Sequence, residues 1–466
     1  MVIRWWGLIP FVALLACIAT APLIPGVRER WQSARLQLGV ALGLGLPTAV
    51  WLCVGGENHA VIHAAVEYGH FITLLACLYV ATGGISVEGD IQASPRNNAL
   101  MLAVGALVAS FIGTTGAAML LVRPLLSTNR ERELKAHIFV FAVIIVANTG
   151  GLLTPLGDPP LFLGFLRGVP FLWTLHLTAE WLFVNGLLLL SFYGLDRQMY
   201  AKESATAIAR DDAEIVPISI RGKRHLAWLL AIVVCAATLP SVDLESILEG
   251  HASWSAWLPL REAAMIGAAC GSWLTGRRAR RAGHEFKWEP ILEVAALFSG
   301  IFLTMVPALR WVAQVAPSLP LNAIWLFGLT GGLSSVLDNA PTYAVFFELA
   351  KGAGGTDLVA GVRSTYLTAV SLGAVLCGAM TYIGNGPNFM VKSIAESGGV
   401  RMPSFGGYVF RWAVPYLLPV LVAMVLVFLT EGWMTRGIGV VLAVVIAAVH
   451  ASKAARNRDP HGRRPA

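Results

Sequence analysis

Thr154-Pro155-Leu156-Gly157-Asp158-Pro159-Pro160-Leu161-Phe162 and Thr381-Tyr382-Ile383-Gly384-Asn385-Gly386-Pro387-Asn388-Phe389 are two copies of one phrase, 227 residues apart. Threonine, glycine, an Asp or Asn, proline and phenylalanine recur in the same order and spacing. Each copy interrupts a long apolar run with residues that break a helix, because proline lacks a backbone donor and glycine adds freedom. In hydrocarbon, freed backbone groups persist only when buried in protein or lining a polar cavity. Two broken helices at corresponding places in two halves of a chain therefore point to a transport site near the bilayer midplane.

Composition supports the bilayer as solvent. The 466 residues are 56% hydrophobic and 13% charged, with mean hydropathy +0.68. Many apolar stretches approach the ~20 residues that a spanning helix needs. The formal charge of +7 sits in short loops between these stretches, so it acts on topology and gives no reason to expect a nucleic-acid partner. The six cysteines lie in or beside apolar segments without metal-ligand spacing, which makes them small packing residues. The stretch 5–26 lacks a basic leader and is long enough to span, so it reads as a first helix.

Crossing segments are expected at 5–26, 36–54, 69–87, 135–166, 171–195, 225–242, 259–276, 289–312, 361–395, 408–430 and 434–451. A charged loop, 197–224, separates two halves. Apolar stretches 98–126 and 321–350 fit better as re-entrant hairpins. Only then do Arg96, the Arg130/Arg132/Lys135 group, the Arg277/Arg278/Arg280/Arg281/Lys287 loop and the tail (Lys453, Arg456, Arg458, Arg463, Arg464) share one side. By the excess of Lys and Arg in cytoplasmic loops, that side is the cytoplasm. The expected fold class is an all-α polytopic membrane protein of about 11 transmembrane helices plus two re-entrant hairpins in an inverted-topology repeat. Residues 1–196 form the first repeat, 197–224 a cytoplasmic linker, 225–430 the second repeat, and 431–466 an extra helix and basic tail. The N-terminus is expected outside and the C-terminus inside a cell (inner) membrane.

The hairpin tips repeat as well: Ser110-Phe-Ile-Gly113-Thr114-Thr115-Gly116 matches Ser335-Val-Leu-Asp338-Asn339-Ala340-Pro341. The polar inventory of the four interruptions is Asp158, Asp338, Asn339, Asn385, Asn388, Thr114, Thr115, Thr154, Thr381, Ser334 and Ser335, without a Lys or Arg. An ionisable side chain at a helix centre costs ~2.5–3.5 kcal/mol or more on insertion scales, which marks the two aspartates as functional. The plainer role for each is an N-cap on a half-helix. Acids, amides and hydroxyls without a cation suit a monovalent cation or a proton, although helix N-termini also attract anions. Gly157 and Gly384, which free the backbone at the breaks, join the candidates. Glu180, Glu293 and Glu348 read as relays or paired glutamates, and His137, His176 and His225 as interfacial residues near segment ends.

At these residues the chain resembles the ion transporter superfamily over nearly its whole length, and NhaD-type sodium/proton antiporters most. Asn148-Thr-Gly150-Gly151-Leu-Leu-Thr154-Pro155-Leu-Gly157-Asp158 is similar to their first broken helix, and Ser334-Ser335-Val-Leu-Asp338-Asn339-Ala-Pro341 to their second hairpin. The resemblance implies cation binding at Asp158, Asp338, Asn339 and Ser334, with Asn148 nearby, and a homodimer. Gly384-Asn385-Gly386-Pro387-Asn388 is more similar to arsenite-efflux and citrate-transporter branches. The expected function is Na⁺/H⁺ exchange with Na⁺ at Asp158, Asp338 and Asn339. Cation-coupled transport of citrate or another carboxylate is the alternative, and arsenite efflux follows. The expected partners are lipid and small ions or a small carboxylate, with no cofactor beyond the transported Na⁺ and H⁺. No enzymatic constellation appears, and no GxxxxGK[ST] loop for ATP is present.

Overall fold

The computed structural model describes residues 3–24, 26–31, 33–213, 215–248, 250–251, 253–276, 286 and 288–456. Arg277, Arg278, Arg280, Arg281 and Lys287 of the basic loop and Arg458, Arg463 and Arg464 of the tail lie outside the described residues. Among those described, seven helices are long and apolar enough to cross a membrane: Ala34–Val54, Asn58–Thr82, Pro95–Ile112, Phe171–Tyr200, Glu289–Ser318, Phe405–Leu429 and Trp433–Arg456. Burial separates their environments. The apolar window in Glu289–Ser318 is 61% buried by protein, whereas that in Trp433–Arg456 is only 22% buried. The latter turns Ile438, Val440, Val441, Val444 and Val445 outward. A helix that is apolar on its exposed face needs lipid around it. The protein is a multi-pass membrane protein.

Both stretches fold as helix–turn–helix hairpins, and Pro95–Ile112, an arm of the first, is itself long and apolar enough to cross. The first has arms Pro95–Ile112 and Thr114–Thr128, separated at Gly113, whose φ of 84° is the left-handed turn that glycine accommodates. Its two ends meet: Asn98 Nδ2 donates to Asn129 Oδ1 at 2.9 Å and Asn129 Nδ2 donates back to Asn98 Oδ1 at 2.9 Å. The second hairpin has arms Ala323–Ser334 and Asn339–Gly352, of 12 and 14 residues, or about 18 and 21 Å at ~1.5 Å per residue. Neither arm reaches across a ~30 Å hydrocarbon core. Tyr366 Oη donates to Leu321 O at 2.8 Å at one end of this hairpin, and Gly352 packs against Ala316 at the other.

The hairpins enter from opposite ends. Helix Thr178–Tyr200 measures the distance between their bases, since 23 residues span about 34 Å. Near its finish, Asp196 Oδ2 accepts from Asn98 of the first hairpin at 3.1 Å. Just before the 3-10 turn Phe171–Leu177 that leads into the helix, Arg167 lies 3.6 Å from Glu348 and Gly168 packs against Ala360, both at the base of the second hairpin.

Both broken helices form too. The first runs as Ala136–Phe141, widens to a π-helix over Ala142–Val146, tightens to a 3-10 turn at Thr149–Leu152, becomes irregular and resumes at Pro159–Leu166. The second runs as Ser364–Cys377 with a 3-10 turn Gly378–Met380, and resumes at Gly386–Ser397.

Three expectations need correction. The third span begins at Asn58, not at 69, because His59, His63, Glu67 and His70 dilute the apolar run without ending the helix. The segment 197–224 is not a plain loop: it holds the end of helix Thr178–Tyr200, helix Ala205–Ala213 and strand β2 (Val216–Arg221). Strand β2 pairs antiparallel with β1 (Ser86–Asp90), and a second small pair joins β3 (Leu358–Val359) to β4 (Val362–Arg363). His137 and His225 are buried rather than interfacial. His137 Nε2 lies 2.7 Å from Asp196 Oδ1, which also faces Arg132 Nη1 at 2.7 Å, and His225 Nδ1 lies 2.7 Å from Ser272 Oγ.

Candidate functional site

The two breaks are built by the same hydrogen bonds. Thr154 Oγ1 donates to Ser110 O at the first hairpin tip, and Thr381 Oγ1 donates to Ser335 O at the second, at 2.5 Å. Each threonine oxygen then accepts from the amide two residues on, Leu156 and Ile383, at 3.2 Å in both copies. Ser110 Oγ donates to Gly150 O, and Ser335 Oγ donates to Cys377 O, the residue that matches Gly150 in the repeat. Gly157 is pressed against Gly151 O, and Gly384 against Gly378 O, so the threonine clamp leaves room for no side chain at either glycine. The polar residues at the interruptions thus hold each hairpin tip against its broken helix.

This clamp brings both tips to one carboxylate. Asp158 is 1% exposed and directly precedes the resumed helix Pro159–Leu166. Its Oδ1 accepts from Thr114 Oγ1 at 2.9 Å and from Asn385 Nδ2 at 3.2 Å, and its Oδ2 accepts from Asn339 Nδ2 at 2.5 Å. Thr114 begins the second arm of the first hairpin, Asn339 begins that of the second, and Asn385 precedes the resumed helix of the other break. Four helix N-termini therefore start at this one point, with their partial positive charge turned toward Asp158. The Oδ1 of Asn339 is buried beside it without a hydrogen-bond partner.

A chain of amides continues outward. Asn385 Nδ2 also approaches Ala147 O at 3.1 Å and Asn148 Oδ1 at 3.3 Å. Asn148 Nδ2 donates to Asn388 Oδ1 at 2.7 Å, and Asn388 Nδ2 donates to Gly378 O and Thr381 O at 2.9 Å. Ser334 Oγ donates to Ala374 O at 2.7 Å, tying the second hairpin to helix Ser364–Cys377. Asp338 differs from Asp158. Its Oδ1 accepts from Ala340 N at 3.0 Å, the N-cap of helix Asn339–Gly352, and Asn339 beside it reaches Asp158 instead. Thr115 is half-buried and takes no part in the hydrogen bonds around Asp158.

A family model described as "Putative citrate transport" matches residues 1–429. The chain belongs to that family. Its members are membrane transporters by description, and the apolar helices accord with that class. A "46 kDa membrane protein" of Mycobacterium leprae (strain TN) is 25% identical over 322 residues, covering 66% of this chain and 71% of that protein.

Several supports of the site carry no repeat signal in the sequence. Asn185 Oδ1 accepts from Thr149 Oγ1 at 2.7 Å, and Trp181 Nε1 donates to Gly150 O at 3.1 Å, so helix Thr178–Tyr200 braces the first break. Tyr408 Oη donates to Ala379 O at 2.7 Å and braces the second. A lone polar residue in an apolar helix resembles an ordinary buried side chain until its neighbour across space is known. Arg167 was equally silent. It follows the resumed helix that begins beside Asp158, and its Nη1 donates to Ala344 O at 3.2 Å on the second hairpin.

Proposed function

We propose that the protein is a secondary active transporter that exchanges Na⁺ for H⁺, with Asp158 as the shared site. The observation that carries this reading is a buried carboxylate whose described hydrogen-bond donors are one hydroxyl and two amides, with no Lys or Arg among them. The Asn339 Oδ1 without a partner lies at the same place. In the sodium-bound state Asp158 supplies charge, and Asn339 Oδ1 and Thr114 Oγ1 supply neutral oxygens, the hard donor set that such a cation takes. In the proton-bound state the carboxyl is neutral and keeps its amide partners. Asp338 serves this site by capping the helix that presents Asn339, and contributes to the field at Asp158 rather than a ligand. The repeats 1–196 and 225–430 meet at Asp158, and reorientation of the two hairpins with their broken helices would expose it alternately to the two sides.

A second reading, cation-coupled transport of citrate or a related carboxylate, draws on two observations: the family description and the four helix N-termini that start at one point. There the cation on Asp158 and the helix ends together would hold the anion. Purified protein in liposomes separates the two. Internal pH is followed while Na⁺, Li⁺, K⁺ or citrate is added outside. Exchange predicts alkalinisation or acidification set by the Na⁺ gradient alone; citrate uptake that requires Na⁺, without proton movement in its absence, selects the second reading.

A further inference from the structure

Away from the broken helices, three carboxylates from three separate elements meet beside the linker. Asp90 ends strand β1, Glu131 follows the second arm of the first hairpin, and Asp211 lies in helix Ala205–Ala213. One oxygen from each lies within 4.8 Å of the others. Glu131 differs from an ordinary surface acid. Its side chain is only 9% exposed. Oε1 accepts from Arg130 Nε at 2.8 Å, whereas Oε2 is buried with no hydrogen-bond partner. A buried carboxylate oxygen left without a donor is costly, and the two carboxylates grouped with Glu131 have no donor to offer when ionised. Asp211 is already held in place: its Oδ1 and Oδ2 accept from Ala93 N at 3.1 and 2.9 Å, which leaves lone pairs on both oxygens.

We propose that Asp90, Glu131 and Asp211 bind one divalent cation through Asp oxygens and Glu131 Oε2, while Arg130 keeps Oε1. The donor set is entirely carboxylate, without His or Cys, which selects the hard cations Mg²⁺, Mn²⁺ and Ca²⁺ over Zn²⁺ or Cu²⁺. A cavity of about 360 Å³ opens on the Glu131 side of the group, bordered also by Glu133, Ser204, Thr206, Arg130 and Arg210, and Glu131 is the one of the three carboxylates that lines it. The ion ties the linker helix to strand β1 and to the base of the first hairpin. Gln92 Nε2, which donates to Asp212 Oδ1 at 2.9 Å, runs alongside as a metal-independent link. This site is separate from Asp158 and does not rest on the exchange reading.

The test is a Mn²⁺ titration of the full-length protein in detergent, with free Mn²⁺ followed by electron paramagnetic resonance and Mg²⁺ and Ca²⁺ as competitors. One site per chain is expected. Asp211→Asn and Glu131→Gln should each weaken it at least tenfold, and Asp158→Asn should leave it unchanged. A second readout is tryptic cleavage in the linker, at Lys202, Arg210 and Arg221, which Mn²⁺ should slow several-fold in the parent and not in the variants. If Asp211→Asn elutes as aggregate, Glu131→Gln, which preserves shape, decides alone. Absence of a site, a site indifferent to Glu131→Gln, or one lost only with Asp158→Asn overturns the proposal.

Discussion

Asn385 Nδ2 lies 3.2 Å from Asp158 Oδ1, and the two residues hold the same place in the two copies of the repeat, 227 positions apart. An axis of near-symmetry therefore passes between a carboxylate and an amide. Two carboxylates at this separation would repel, and two amides would neither titrate nor carry charge. One of each gives a single charge held by its own counterpart.

That pairing predicts the outcome of an exchange of side chains. Asp158→Asn should reduce Na⁺-driven proton movement in liposomes at least a hundredfold. The double variant Asp158→Asn/Asn385→Asp restores one carboxylate within about 3 Å of the original oxygen, and should recover a measurable part of the lost rate. A double variant no better than Asp158→Asn alone, at equal insertion, would place the charge requirement at Asp158 itself and remove the argument from symmetry.

Thr114 and Asp338 should separate ligand from cap. From the sequence, Asp338 ranks as the equal of Asp158, yet its side chain caps helix Asn339–Gly352 while the Thr114 hydroxyl touches Asp158. Asparagine caps nearly as well as aspartate, so Asp338→Asn should leave thermal stability within about 0.5 kcal/mol. Thr114→Val removes a neutral ligand and should raise the Na⁺ dissociation constant about tenfold, or ~1.4 kcal/mol. Sodium titrations and thermal unfolding of both variants in detergent provide the check. A larger loss of affinity in Asp338→Asn than in Thr114→Val would return Asp338 to the ligand set.

The glycines of the breaks give a prediction about packing. A Cβ on Gly384 would come 2.6 Å from both Gly378 O and Ser334 O, whereas nothing lies within 4 Å of one on Gly386. Overpacking against backbone that the Thr381 clamp holds should cost about 1–3 kcal/mol. Gly384→Ala should therefore unfold at lower temperature than the parent, and Gly386→Ala should not. Matching midpoints for the two variants would mean that the break relaxes freely.

What the sequence made legible was whatever it states twice. The repeat, offset by 227 residues at the breaks and 225 at the tips, marked both breaks and both tips. The bracing by Trp181, Asn185 and Tyr408 was illegible, since each occurs once and depends on which helix lies alongside. The start of the third span was misplaced for a related reason. Glu67 looks like a helix end in an apolar count, yet it faces, with His70, a cavity of about 580 Å³ lined also by Arg167, Arg261 and Arg310. Polar residues lengthen a membrane helix when protein supplies their surroundings. The role of Asp338 could not be told from that of Asp158, because capping and ion binding favour the same residue at a helix start.

The meeting of Asn98 with Asn129 predicts labelling. Single cysteines at Arg96 and Arg130, in a background without the six native cysteines, should react from the same side of a sealed membrane. The Lys/Arg distribution predicts that this side is the cytoplasm. Reaction from opposite sides would require the stretch 98–126 to cross, contrary to the two hydrogen bonds that close its ends.

If protons and sodium share Asp158, their competition has a fixed form. Sodium binds the ionised carboxylate and a proton removes that form, so apparent affinity must fall as pH falls while maximal binding is unchanged. With one proton displaced per ion, the dissociation constant should rise about tenfold per pH unit well below the controlling pKa, a change of about 1.4 kcal/mol per unit. Well above it the dependence should vanish. Asp158→Asn should flatten the curve or abolish binding, whereas Glu131→Gln, at the linker carboxylates, should leave its shape intact. The second reading predicts a different response: cation affinity strengthened by citrate and nearly level with pH. Sodium titrations across mildly acidic to alkaline pH, with and without citrate, distinguish them. Affinity that is constant over that range and rises with citrate would make Asp158 a coupling site for carboxylate uptake rather than the shared seat of two exchanged cations.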